Sequence, residues 1–300
     1  MQPILSPLVS FQAPEGYPLH EISADQLILF HKVKDYVAAL FAEKTLTGTP
    51  LPGEVEWAND ECILRYLRAA KLDADKACAM ILKTLRWRRD YRPTEISANE
   101  VESESENGKA FFQGFDLKGR PVFVLNSAIT LSKDPERYLR FILFNLERGT
   151  ALCPHGVSQV SAIADVNGVG MFNQNPISVT TRLAEIFQNH YPERLGWICI
   201  LNPTWYLWVL SKLVLPFIDP VTKAKIHFSA VSSTPKKASS SSKLVGAEES
   251  EAAAEGTGGW INDLSQLMDL GQLPVSLGGN YEYTYQHSVY WKAFTQAVGL

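Results

Sequence analysis

Over the first third of the chain apolar positions recur every three or four residues; beyond it they come as short blocks between helical stretches. Leu27, Phe30, Val33, Val37 and Leu40 share one helical face, in a segment that Ser23 opens with Gln26 at the capping-box position. Asn59 or Asp60 caps a second helix, DECILRYLRAAK, with Ile63, Leu64 and Leu67 as its apolar side. Asp73 caps a third, DADKACAMILKTLRWRRDY, which must stop before Pro93. These helices predict a small head, preceded by a proline-punctuated, extended segment over residues 1–22. The acidic run SANEVESESENG, with Glu100, Glu102, Glu104 and Glu106, reads as a solvated linker. It separates an N-terminal extension and head, 1–107, from a second domain, 108–300.

In that second domain the pattern alternates. Pro121 to Asn126 is a strand following the turn Asp116-Leu117-Lys118-Gly119, and Asp134-Pro135 starts a helix that is apolar through Phe141, Ile142, Leu143, Phe144 and Leu146. Val160 to Val166 is a buried strand; Asn175-Pro176 caps a helix to about Asn189, with Leu183, Ile186 and Phe187 inward. Trp197 to Leu201 is a strand, Thr204 to about Leu215 a helix, and another strand starts near Lys225. Strands alternating with helices predict an α/β domain with a mostly parallel sheet. Residues 229–259 hold almost no large apolar side chain and read as a flexible insert, with serines open to phosphorylation. Trp260 to Leu270 resumes a helix, Leu273 to Gly279 is a last edge strand, and an aromatic-rich tail closes the chain.

The stretch from Trp197 to Ile218 is the most apolar, yet Asn202-Pro203-Thr204, Ser211, Lys212 and Pro216 interrupt it. A membrane-spanning helix needs roughly 20 unbroken apolar residues. Trp205, Tyr206, Leu207, Trp208, Val209 and Leu210 leave the Thr204 to Leu215 helix apolar nearly all round, as a buried or boundary helix is. With Glu193, Arg194 and Lys225 at its flanks, this composition fits a lipid cavity closed by a mobile lid, with walls from Phe141, Phe144, Trp197 and Ile200. Burial of acyl chains supplies about 0.8 kcal/mol per methylene. A phosphodiester headgroup needs a cation and donors, because an unpaired buried charge is costly. Lys225, Lys71 and Glu193 are the candidates.

Composition narrows the alternatives. With 300 residues, 46% hydrophobic and 20% charged, the chain can bury a sizeable core. A formal net charge of −4 supplies no global basic field for nucleic acid, and any bilayer contact should be mainly hydrophobic and transient. Cys62, Cys78, Cys153 and Cys199 form no CxxC or metal-like pattern, which fits reduced thiols in the cytoplasm. The first residues have no basic n-region and are broken by Pro3 and Pro7, unlike a signal peptide. There is no G-x-S-x-G, HExxH or P-loop, so neither catalysis, a metal nor a cofactor has support. Gly168-Val169-Gly170-Met171-Phe172-Asn173 follows a strand, but its third position is Asn173 and Asn175-Pro176 displaces the helix start. A dinucleotide turn sets the helix N-terminus against the pyrophosphate, so a nucleotide-binding enzyme is only a remote alternative.

LRYLRAAK followed by LRWRRDY, then FDLKGRPV, HYPERLG, DPVTKAKI and LPVSLGG, occur in this order. From about Asp60 to Phe228, and again from Leu273 to Trp291, the chain resembles the CRAL-TRIO, or Sec-fourteen-like, phosphatidylinositol transfer proteins. The resemblance implies a helical head, a lipid pocket floored by a mostly parallel sheet, and a gating helix at Thr204 to Leu215 that carries Trp205, Trp208 and Val209. It places the inositol headgroup at Lys71, Glu193, Thr222 and Lys225, and has Ala70 where an arginine is common. Val160 and Ala162 stand where hydroxyl residues hold phosphatidylcholine, which implies a drier pocket suited to a sterol or other apolar counter-ligand. WRRDY, GFDLKGRPV, YPERL and HSVYW look most similar to the azole-tolerance and sterol-binding subgroup. The expectation is a monomeric cytoplasmic carrier that exchanges lipid at membrane surfaces without chemistry. The rival is a lipid-bound regulatory scaffold acting through the 229–259 loop.

Overall fold

The computed structural model describes residues 2–11, 23–42, 46, 49–129, 132–169, 176–204, 207, 215, 218–231 and 256–300. Its contacts divide the chain into two compact units. One comprises Pro14–Ile96 with Ile177–Arg194, the other Met1–Ala13, Ser97–Pro176 and Leu195–Leu300.

The first unit is helical: α1 (Ala24–Ala42), α2 (Glu54–Trp57), α3 (Asp60–Ala69), α4 (Ala74–Tyr91) and α7 (Ile177–His190). The capping box at α1 forms, with Ser23 N donating to Gln26 Oε1 at 3.2 Å and Gln26 N to Ser23 Oγ at 3.3 Å. Asn59 and Asp73 cap α3 and α4 by accepting from the amides of Cys62 and Lys76. Helix α4 ends at Arg92, whose left-handed backbone turns the chain into Pro93. Phe30, Val33, Val37 and Leu40 meet Ile63, Tyr66, Leu67, Ile81 and Leu85 in one core. Leu27, expected on that face, is exposed.

In the second unit, among the described residues, six strands form one sheet in sequential order: β1 (Ala110–Phe115), β2 (Pro121–Asn126), β3 (Val160–Asp165), β4 (Leu195–Leu201), β5 (Ile226–Ser229) and β6 (Gly259–Trp260). β1 pairs antiparallel with β2 and every later pair is parallel, so the sheet is mostly parallel as expected. α6 (Pro135–Gly149) starts at the Asp134 cap, and its Gly149 lies so close to the Phe112 ring that no Cβ fits. α8 (Pro220–Lys223) is one turn, and α9 (His287–Ala297) makes the aromatic tail a helix that buries Tyr290, Trp291 and Phe294. Residues 4–8 lie along β1 and the tail: Ile4 exchanges backbone hydrogen bonds with Glu282 and Thr284, and Gly114 N donates to Leu8 O at 2.9 Å.

Several expectations are corrected. The acidic run is not a solvated linker: 98–105 forms α5 (Ala98–Ser105), capped by Ser97, with Val101, Glu104 and Ser105 buried. The Glu104 carboxylate accepts from Lys109 Nζ at 2.7 Å, Ser132 Oγ at 2.7 Å and Arg137 Nε at 3.1 Å, which neutralises what composition alone reads as solvated. Burial alone would raise that carboxyl, but these partners hold it below its ordinary range. β1 was not expected as a strand. Trp260 to Leu270 is not a helix: Trp260 ends β6, and Leu264–Gln266 is a single 3-10 turn opened by the Asp263 cap. Leu273 to Gly279 is not an edge strand but contains a 3-10 turn, Val275–Leu277, because Pro274 has no amide to offer and Gly278 turns with φ 91°. Of the Thr204 to Leu215 helix only Thr204, Leu207 and Leu215 lie among the described residues, and 232–255 of the insert lie outside them.

Asp116 opens the β1–β2 turn and is buried. Its carboxylate accepts from the backbone amides of Lys118 and Arg120, from Ser161 Oγ on β3 at 2.8 Å and from Trp197 Nε1 on β4 at 2.9 Å, with the Arg120 guanidinium at 3.5 Å. Asp116→Ala is expected to destabilise the protein by roughly 3–5 kcal/mol in urea unfolding, as removing one member of a buried ionic network does. Lys34→Ala, which breaks an exposed 2.8 Å pair with Asp60, should cost about 0–1 kcal/mol in the same experiment.

Candidate functional site

The pairing register fixes which strand residues share a face. Phe123 pairs with Ala162 and Ala162 with Ile198, while Ala164 pairs with Ile200 and Ile200 with Phe228. Alternation adds Val160 to the same face. The expected pocket residues Val160, Ala162 and Ile200 therefore share one apolar sheet surface. At its β1 end this surface is covered, since Phe112, opposite Phe123, stacks on Phe294 of α9 at 5.7 Å and meets Gly149 of α6. Towards β4, among the described residues, the cover thins. Ile198 and Ile200 are half-buried, whereas Trp197, Cys199 and Leu201, which point the other way, are buried. Phe141 and Phe144, expected as cavity walls, are 0% and 1% exposed, and the Phe144 ring packs on Trp291 and Phe294. Trp205, Trp208 and Val209 lie outside the described residues.

Thr222 and Lys225 sit at one corner of this unit. Asp219 caps α8 by accepting from Thr222 N at 3.0 Å; Lys225 N then donates to Thr222 O at 3.1 Å, and Ile198 N to Lys225 O at 2.9 Å. The corner is thus pinned to β4. Burial would raise the Asp219 carboxyl, but hydrogen bonds from the Thr222 side chain and the amides of Thr222 and Val221, with the Lys225 charge, hold it below its ordinary range. Donation to Asp219 leaves the Thr222 oxygen lone pairs oriented, and Lys225 is half-buried beside them. Asp219 was not singled out in the sequence; its position three residues before Thr222 was the available signal.

Lys71 and Glu193 belong to the helical unit. Lys71 and the following Leu72 both have left-handed backbones, φ 55° and 66°, where α3 ends with Leu72 N donating to Leu67 O at 2.8 Å. Glu193 is left-handed too, φ 55°, in the turn after α7. Such conformations cost non-glycine residues about 1–2 kcal/mol. The buried face of α3 grips this turn: Arg65 Nη1 donates to Pro192 O at 3.0 Å, and the Tyr66 hydroxyl lies 3.2 Å from His190 O and 2.9 Å from Thr84 Oγ1. Arg68, which the sequence reading passed over, is an α3 cation that feels Glu193: burial holds its pKa below the ordinary range, and the Glu193 charge opposes that only in part. Ala70, where an arginine is common, is buried in the helical core.

The helical unit also carries an open groove of ≈ 560 Å³ along α4 that ends at His190. The His190 ring stacks on Trp87 at 4.2 Å, with Tyr91 stacked on Trp87 at 5.2 Å and Thr84 Oγ1 3.2 Å from Nδ1. These partners stand about a hundred residues apart, so sequence patterns could not join them. Among the described residues, no three His, Cys, Asp or Glu side chains are grouped to hold a metal ion, and no helix is long and apolar enough to cross a membrane.

Comparison with known proteins bears on this arrangement. The CRAL/TRIO domain matches residues 105–252, and the CRAL/TRIO, N-terminal domain, matches residues 30–83. A CRAL-TRIO domain-containing protein of Schizosaccharomyces pombe is 29% identical over 96% of this chain and 27% of its own length. Phosphatidylinositol transfer protein PDR17 of Saccharomyces cerevisiae is 27% identical over 81% of this chain and 63% of its own. The chain thus spans less than two thirds of either relative. The Sec14 cytosolic factor of Schizosaccharomyces pombe is 28% identical over 74% of this chain and 79% of its own. The crystal structure of Sfh5 shares the fold, with a TM-score of 0.57 over 70% of this chain and 81% of that one at 18% identity.

His190 gives this region a pH signature. Burial, with the charges of Lys83 and Arg88, lowers its imidazole from 6.5 to about 4. Between those values the unfolded chain takes up a proton that the folded chain refuses. Stability present above pH 6.5 is therefore lost progressively as the pH falls towards about 4. His190→Phe, which preserves a stacking ring, should lose less stability than wild type between about pH 7 and about pH 5 in urea unfolding. Equal losses would place the proton uptake elsewhere.

Proposed function

The chain belongs to the CRAL/TRIO family, and from that premise we propose that it is a cytoplasmic phosphatidylinositol transfer protein, monomeric and peripheral to membranes. The observation that carries this reading is the apolar sheet face on which Ile198 and Ile200 are half-buried. Acyl chains lie along that face beside Ala162, each buried methylene contributing about 0.8 kcal/mol. Thr222 and Lys225, at the end of the β4–β5 connection, take the polar end, where Lys225 neutralises the phosphate and Thr222 meets an inositol hydroxyl. Both come from a corner whose backbone is already fixed by Asp219 and β4, so little ordering is left for binding to bring about. The resemblance assigns Lys71 and Glu193 to the headgroup as well, and variants of each test that assignment separately.

Without hydroxyls at Val160 and Ala162, a sterol or another apolar molecule is the counter-ligand we favour over phosphatidylcholine. Exchange of these lipids breaks no covalent bond. The expected division of the chain is a head of 1–107 and a lipid-binding domain of 108–300.

Lys225→Ala is expected to lower phosphatidylinositol transfer between vesicles by roughly ten- to a hundredfold, the worth of one hydrogen bond to a charged group. Its circular dichroism should match wild type. Transfer at the wild-type rate would remove Lys225 from the headgroup, and mass spectrometry of lipid co-purified with the protein reads the ligands directly. Deleting 232–255 should leave transfer intact. If that deletion abolished the cellular role while transfer persisted, the scaffold reading acting through the 229–259 insert would take precedence.

A further inference from the structure

The exposed side of α4 has a composition that the lipid cavity does not explain. Lys76, Ala79, Lys83, Arg86 and Asp90 follow one another at spacings of three and four, and all five are exposed. They form a single stripe with three cations and one carboxylate, on a chain whose formal net charge is −4. Four of the five line the ≈ 560 Å³ groove, whose floor holds Leu82, the half-buried Trp87 and His190. Lys83 is steadied at the rim by donating to Asn189 Oδ1 of α7 at 2.8 Å.

A groove with cations on its rim and a tryptophan between polar and apolar surroundings matches one boundary well. The indole sits at the level of lipid headgroups, and lysine and arginine meet the phosphates there. The rings beneath the rim pack on one another within the helical unit, Trp87 against Tyr91, His190 and Tyr191. Burial is the main reason the His190 imidazole is lowered, and the Lys83 and Arg88 charges add to it in the same direction.

We infer that this face of α4 is a docking surface for a bilayer containing anionic phospholipid, with Lys83 and Arg86 contacting headgroup phosphates and Trp87 seated at the interface. The inference rests on the lipid-transfer reading, since a carrier must meet a bilayer, and it adds a local charge preference where the chain as a whole is acidic. Attraction confined to one stripe supports a transient, salt-sensitive encounter.

The test uses the full chain and two kinds of vesicle, phosphatidylcholine alone and phosphatidylcholine with phosphatidylserine, read by co-sedimentation. Wild type should favour the anionic vesicles, and the preference should weaken as salt is raised. Lys83→Ala combined with Arg86→Ala should lower binding to anionic vesicles by roughly 30-fold, with binding to neutral vesicles unchanged. The control pair Lys118→Ala with Lys292→Ala, both exposed and on the other unit, should change it little. Wild-type binding by the groove variant, or an equal loss by the control pair, would overturn the inference. Phosphatidylinositol content, measured by mass spectrometry, separates this from the premise. A protein without that lipid, but with a groove-dependent preference for anionic vesicles, would fail as a carrier and keep the docking surface. A loaded protein whose groove variant binds as wild type would do the reverse.

Discussion

One buried carboxylate holds the sheet unit in register. Asp116 opens the turn from β1 to β2 and accepts hydrogen bonds from β3 and β4 as well, so a single anion joins four strands. Desolvating a carboxylate is costly, and here two backbone amides, a hydroxyl, an indole N–H and a guanidinium share the compensation. None of these partners can shift along its strand without leaving the charge exposed to an apolar interior. The half-buried face of β4 is thereby presented at a fixed height relative to β2 and β3. Gly196 belongs to the same arrangement, because a Cβ there would run into Ser161 Oγ and the Arg120 side chain.

Local signals carried much of this fold into the sequence. Asn59, Asp73, Asp134 and the Ser23–Gln26 box announce helices within four residues of themselves, and every one of those caps forms. Most of what escaped depends on partners outside the local pattern. The acidic run reads as solvated until Lys109 and Arg137 supply Glu104 with counter-charges, 5 and 33 residues away. β1, AFFQGF, is buried at all six positions and shows no alternation, so its strand character comes from pairing with β2 and not from a period. In the segment 273–279 the apolar residues suggested a strand, whereas Pro274 and Gly278 impose a turn.

The candidate site divides along the same line. DPVTKAKI is a local motif, and the corner it builds around Asp219, Thr222 and Lys225 could be anticipated because the hydrogen bonds within it span only two to four residues. The apolar face needed the strand register, which sequence did not supply. The left-handed backbones at Lys71, Leu72 and Glu193 were equally invisible, since none of these residues favours that conformation. Strain of this kind persists only where surrounding packing over-determines it, and Arg65 and Tyr66 provide that packing around the Glu193 turn.

The segment around residues 4–8 gives the sheet a property of a different kind. β1 is an outer strand, and an uncovered outer strand is a template on which other chains can polymerise. Leu8 occupies the Gly114 amide, Ile4 ties the same segment to the C-terminal tail, and Phe11 rests on Phe115. At the opposite border, among the described residues, β6 is two residues long. Both borders are therefore poor nuclei for edge-to-edge growth, and a sheet whose β4 face is half-buried and apolar is shielded from aggregating through its own margins.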